Sequence, residues 1–150
     1  MRSVDSWLDE YGQSHQNPTN KLIHWICVPL IVWTVTALIW AIPSPAEWLN
    51  WAVVVAVLAM IWYIALSPRL AIGIGVFLAL CLAVNAWIES TFAAPLWLIA
   101  VVVFVAAWIG QFIGHNIEGK KPSFFKDLQF LLVGPAWLMG FVYRKMGWRY

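Results

Sequence analysis

Four long apolar runs, separated by short polar or proline-marked breaks, dominate the chain. They predict membrane spans over about residues 22–42, 47–66, 70–87 and 96–114. At about 1.5 Å per residue, each crosses or nearly crosses roughly 30 Å of hydrocarbon. Ahead of them, Val4, Trp7, Leu8 and Tyr11 recur at helical spacing, with Ser3 placed to cap and with Asp5, Asp9 and Glu10 on the opposite side. This predicts a short N-terminal helix lying in the membrane interface. Asn17 followed by Pro18 reads as a helix start, because asparagine caps and proline at the first helical position gives up no needed N–H. Pro29, farther along that span, predicts a kink.

Ile42-Pro43-Ser44-Pro45, Ser67-Pro68-Arg69 and residues 89–95 read as the connecting loops. The last apolar stretch, Leu128 to Val142, is short and is interrupted by Gly134-Pro135. It predicts a broken, interfacial or re-entrant hairpin over residues 123–147. The expected fold is all-α: one polytopic membrane helical bundle over residues 1–150, with four transmembrane helices.

Composition agrees. The chain is 63% hydrophobic and only 11% charged, with a mean hydropathy of +0.78, outside the range of ordinary soluble domains. A net charge of +2 without a basic stripe argues against a nucleic-acid partner. The acidic residues before the first apolar run stand where a cleavable leader would be basic. Cys27 and Cys81 both fall in apolar runs and read as small core residues rather than a disulfide or a zinc pair. Arg2, Lys21, Arg69, Lys120, Lys121 and Lys126 all fall on the side that carries the N-terminus. The opposite loops carry Glu47 and Glu89 and no cation, so both termini are expected in the cytoplasm. The membrane would be the inner membrane in a bacterium and the endoplasmic reticulum in a eukaryote.

This topology brings the chain's three histidines, His15, His24 and His115, to one membrane face. On a helix continuing past Gly114, the side chains of Gln111, His115 and Glu118 lie within about 60° of arc. His-x-x-Glu can present an imidazole and a carboxylate to one ion. His15, His24, His115 and Glu118 are therefore the candidate metal ligands, suited to Fe(II), with Mn(II) or Zn(II) as alternatives. Asn17, Asn20, Gln111 and Asn116 are candidate supports for the ligands, although Asn17 caps its helix in either case. Lys120 and Lys121 are candidates for a substrate carboxylate, or serve only to hold their segment in the cytoplasm.

Gly110 and Gly114 form a small-xxx-small pair that lets another helix approach closely and so join His24 to His115. The twelve tryptophans read mostly as interface anchors, with Trp7, Trp25, Trp108 and Trp137 as candidate pocket walls.

Polar residues gather at span ends in any membrane protein, so three histidines at one face are a candidate site only. A metal-free scaffold or assembly factor is the competing reading, and a homo-oligomer is compatible with either. Another is a b-type haem protein with His24 and His115 as axial ligands. A transporter is disfavoured by the absence of mid-span charge and of an inverted repeat.

Two motifs add to this. His15-x-Asn17-Pro18-x-Asn20-x-x-x-His24 with Pro29 is one. Trp108-Ile109-Gly110-Gln111-Phe112-Ile113-Gly114-His115, continuing through Glu118-Gly119-Lys120-Lys121-Pro122 to Gly134-Pro135, is the other. In this order the chain resembles the small membrane proteins similar to yeast 2-hydroxy-fatty-acid dioxygenase. The resemblance implies an Fe(II)-dependent dioxygenase of fatty acid α-oxidation, converting a 2-hydroxy fatty acid and O₂ to a fatty acid one carbon shorter. It also implies His15, His24 and His115 as the catalytic histidines. Cys27 departs from the family pattern, where glycine is common.

Overall fold

Four of the helices begin where a short polar side chain takes over unsatisfied backbone N–H groups. The computed structural model describes residues 3–46, 48–119 and 130–150. Within them, α1 (Val4–Gly12) starts at Ser3, whose hydroxyl accepts the Ser6 N–H. α2 (Pro18–Trp40) starts at Asn17, whose side chain accepts from Thr19 and Asn20, with Pro18 in its first turn. α3 (Trp51–Leu66) starts at Asn50 and α4 (Pro68–Thr91) at Ser67. α5 (Leu96–Ile117) follows Pro95, and α6 (Val133–Lys145) closes the order. The all-α class holds, with six helices among the described residues. α2 runs unbroken through Pro29.

Two of the expected spans and the C-terminal hairpin need revision. Helix α3 starts at Trp51 rather than near residue 47, because Asn50 caps it, and its 16 residues reach only about 24 Å. Among the described residues three helices, α2, α4 and α5, are therefore long and apolar enough to cross a membrane, not four, and α3 is a shorter apolar partner. They mark an integral membrane protein. Helix α4 continues past residue 87 to Thr91, carrying Glu89 and Ser90 as its last polar turn.

The broken C-terminal hairpin is the third correction. Residues 123–129 lie outside the described residues, but from Val133 the chain forms one continuous helix. Gly134 and Pro135 occupy its first turn, where N–H groups have no intrahelical acceptor and proline forfeits nothing. Nor does this helix lie amphipathically on the surface: Val133 through Leu138 are all buried. Two tyrosine hydroxyls hold it in place. Tyr63 of α3 donates to the Leu132 carbonyl (2.7 Å), and Tyr143 donates to the Arg69 carbonyl at the start of α4 (2.6 Å).

Two apolar seams position the site. One joins Leu8 and Tyr11 of α1, Val28 of α2, Ile74 of α4, and Trp137 and Leu138 of α6. The other joins Cys27 and Ile31 of α2 to Ala107 and Trp108 of α5. The α2–α5 pairing is the most extensive among the described helices. It rests on Gly110 and Gly114: a Cβ on Gly110 would come within 2.7 Å of Cys27 Sγ. Cys27 thus fills the space its neighbour leaves, and it is a free thiol, as is Cys81. Deeper in the bundle, Asn85 of α4 donates to Thr36 of α2 (3.3 Å). The outer faces of α3, α4 and α5 expose Val57, Ile61, Ile72, Val76, Val102 and Ile109, as lipid-facing helices do.

Candidate metal centre

His24 lies on the inward face of α2 with no exposed surface, and His115 lies in the last turn of α5 at 5% exposure. Close approach of the two helices at Gly114 sets their rings 5.0 Å apart, edge to face. His15 enters from the α1–α2 connection, 3% exposed, with its ring 4.1 Å from His24 and 5.3 Å from His115. One ligand atom from each imidazole lies within 4.8 Å of the other two.

Backbone carbonyls fix the tautomers. His15 Nδ1 donates to the Tyr11 carbonyl (2.6 Å), and His24 Nδ1 donates to the Asn20 carbonyl (2.9 Å). A carbonyl can only accept, so Nδ1 carries the proton and Nε2 carries the lone pair in both rings. Protein metal ligands are commonly prepared in this way. Tyr11 stacks flat on His15 at 4.3 Å, and Trp137 packs 5.3 Å from both rings, walling the cluster from the α6 side.

Glu118 does not join the cluster as the His-x-x-Glu spacing suggests: among the described residues the group holds three histidines and no carboxylate. Glu118 caps α5, and its side chain crosses to the α1–α2 connection instead. One oxygen accepts the Gln16 N–H (2.9 Å). The other accepts the Asn17 N–H (2.8 Å) and the Asn20 side-chain amide (3.0 Å). Burial alone would raise its pKa, but hydrogen bonds from Asn17, Asn20 and Gln16 outweigh it and hold the carboxyl below the usual range. The clamp is thus at full strength above the ordinary carboxylate range and is lost as pH falls through the depressed value.

Asn17 caps α2, as its position implied. Asn20 is fully buried and ties the connection together, its amide donating to the Ser14 carbonyl (3.2 Å) as well as to Glu118. Gln111 is buried one turn before His115, whereas Asn116 is exposed and faces away from the buried interior. Lys120 and Lys121 lie outside the described residues.

The geometry bears on the haem alternative. Rings of His24 and His115 in edge contact, with His15 against both, leave no flat slot for a macrocycle between them. The site instead fits a single small ion held by neutral nitrogen donors, a set that suits iron and zinc alike.

The model of the family described as "2-hydroxy-palmitic acid dioxygenase Mpo1-like" matches residues 1–146. The chain belongs to the Mpo1-like family. It is 30% identical over 143 residues to the 2-hydroxy-palmitic acid dioxygenase MPO1 of Saccharomyces cerevisiae, covering 93% of this chain and 79% of that relative. No solved structure matches. The two motifs that carried the resemblance bracket the histidine cluster of this Mpo1-like chain. They hold His15 and His24 at one end and His115 with Glu118 at the other.

Sequence reasoning missed Tyr11, read only as part of an apolar helix face. Its spacing of four from His15 was the available signal, because that interval brings a carbonyl and a ring back over one turn.

Proposed function

We propose that this chain is an Fe(II)-dependent dioxygenase that shortens a 2-hydroxy fatty acid by one carbon, using His15, His24 and His115 as the iron ligands. The buried three-imidazole cluster, two of its rings pre-set in the Nε2 lone-pair tautomer, is the observation that carries this reading. Bound iron would supply Lewis acidity and a binding position for O₂.

The rest follows from the chain's own residues. Three neutral donors leave a divalent charge uncompensated, so the centre favours an anionic, chelating partner. The adjacent carboxylate and hydroxyl of a 2-hydroxy acid have that chemistry. Tyr11 and Trp137 pack against His15 and keep bulk water from the rings. Glu118 holds the connection that carries His15. The overall change closes on O₂ alone: 2-hydroxy acid plus O₂ gives the shortened acid, carbon dioxide and water, and no separate reductant is needed. The distribution of Lys and Arg supports a centre at the cytoplasmic face of the membrane.

The test is metal content of protein purified anaerobically in mild detergent, with turnover of 2-hydroxy fatty acids on the same sample. About one iron per chain together with formation of the shortened acid supports the proposal. A preparation that binds no iron even after reconstitution, and leaves the acids unchanged, refutes it.

Glu118→Gln checks the positioning role. An amide cannot accept all three donors, so metal affinity is expected to fall about ten- to hundredfold. Helix content by circular dichroism should be unchanged. Unchanged affinity removes Glu118 from the account.

A further inference from the structure

The face of α2 that presents His24 continues inward through Val28, Ile31, Val35 and Ile39. Steps of four, three, four and four residues keep all five on one side of the helix, over about 22 Å. Two cavities lie along this stripe. Val28 and Ile31 line the first, of about 20 Å³, together with Tyr11 and Gln111. It therefore opens against the ring stacked on His15 and one turn from His115. Val35 and Ile39 line the second, of about 110 Å³, between α2, α3 and the start of α6. Leu131 borders both.

We propose that these two cavities form the acyl-tail site, and that alanines of α3 set the chain length accepted. This rests on the dioxygenase reading above. The carboxylate end would sit at the histidines, and the tail would pass Leu131 and run along α2, its methyl end between Ile39 and Ala52.

Two features favour a bound tail over an ordinary bilayer lipid. The two cavities follow one another along a single face of α2, the smaller beside Tyr11 and Gln111 and the larger beyond Leu131. Its α3 wall also carries three alanines, Ala52, Ala56 and Ala59, spaced to share one face, beside Val55 and Tyr63. Elsewhere α3 presents Val57, Leu58 and Ile61 outward.

Helices α2 and α3 are consecutive and joined by a short connection, so they run antiparallel. Ala59 then lies near Val32 at the mouth, and Ala52 near Ile39 at the far end. This fixes an order of effects. Ala52→Phe should leave the kcat/KM of short 2-hydroxy acids within about twofold and lower that of long ones about ten- to hundredfold. Ala59→Phe should move the cut-off to shorter chains still. Equal loss at every chain length, or no loss at any, overturns the assignment.

A second measurement needs no turnover and no substitution. The full chain in nanodiscs is labelled anaerobically with a long 2-hydroxy acid bearing a diazirine at its methyl end. Adducts at the α2–α3 turn end, around Ile39 and Ala52, competed by unlabelled 2-hydroxy acid, support the tail site. Adducts spread over Val57, Leu58 and Ile61, unaffected by competitor, mean contact with a bilayer lipid tail only and overturn it. A parent chain that turns over no 2-hydroxy acid refutes the dioxygenase reading, and labelling then decides the tail site alone.

Discussion

Replacing His24 with alanine is expected to abolish iron binding and turnover together, and His115→Ala is expected to do the same. Both rings are buried in the three-donor cluster. Losing either leaves two nitrogens with no neighbouring carboxylate among the described residues to take over, because Glu118 spends its oxygens on backbone and Asn20. The fold should survive the His24 change. The Asn20 carbonyl has two lone pairs and sits within α2, so losing the imidazole strands no buried polar group. The cost is packing alone, about 1–3 kcal/mol.

Metal linkage gives the sharper readout. Iron at a hundredfold excess over its Kd stabilises the parent by about 2.7 kcal/mol, which a chelator removes. Thermal unfolding with and without chelator should therefore differ for the parent and coincide for the variants. If either variant keeps both its iron and its activity, the histidine cluster is not the reaction centre.

Gly114→Ala is expected to damage the same centre from a distance. A Cβ there would collide with Asn20 Oδ1, with Asn20 Cγ and Ile23 Cγ2 close behind at 3.4 Å. Asn20 cannot simply step aside, since its amide is bonded to Ser14 and Glu118. The strain must push α2 away from α5, which widens the 5.0 Å separation of His24 and His115.

In an unconstrained helix interior, glycine to alanine gains about 1 kcal/mol. Overpacking here should reverse that sign, to a loss of about 1–3 kcal/mol with weakened iron binding. Gly75→Ala is the matched comparison. Its added Cβ meets only the mobile end of Met60, at 3.1 Å, so it should be near neutral with iron binding intact. Equal behaviour of the two variants in thermal unfolding and iron titration would refute the close-approach argument.

Much of this was legible in the sequence because each signal was local. Ser3 and Asn17 announced their caps through side chains that reach only two or three residues ahead. Gly110 and Gly114 announced a close helix contact through their spacing alone. The errors came where hydrophobicity stands in for conformation. The helix of Glu89 and Ser90 was read as a loop because they are polar, yet a helix leaving a bilayer need not stop at the hydrocarbon edge. Gly134-Pro135 was read as a break, although its effect depends on where in the helix it falls. Glu118 illustrates the harder limit. His-x-x-Glu spacing places the carboxylate near His115, but its partners are N–H groups about a hundred residues away, which no local pattern encodes.

The path by which the centre assembles carries a consequence for how the protein is made. Two of its imidazoles come from the first two dozen residues, and the third arrives only near the end of α5. While the ribosome is still feeding the middle helices into the membrane, the cluster has no third donor, and the Glu118 clamp on the first loop has not been synthesised. On the iron reading proposed above, loading would therefore be a late event in biogenesis, set by completion of the last long helix. A polypeptide released before residue 115 would carry α2, α3, α4 and most of α5 but only two of the three imidazoles, and on the iron reading proposed above it would lack a complete ligand set.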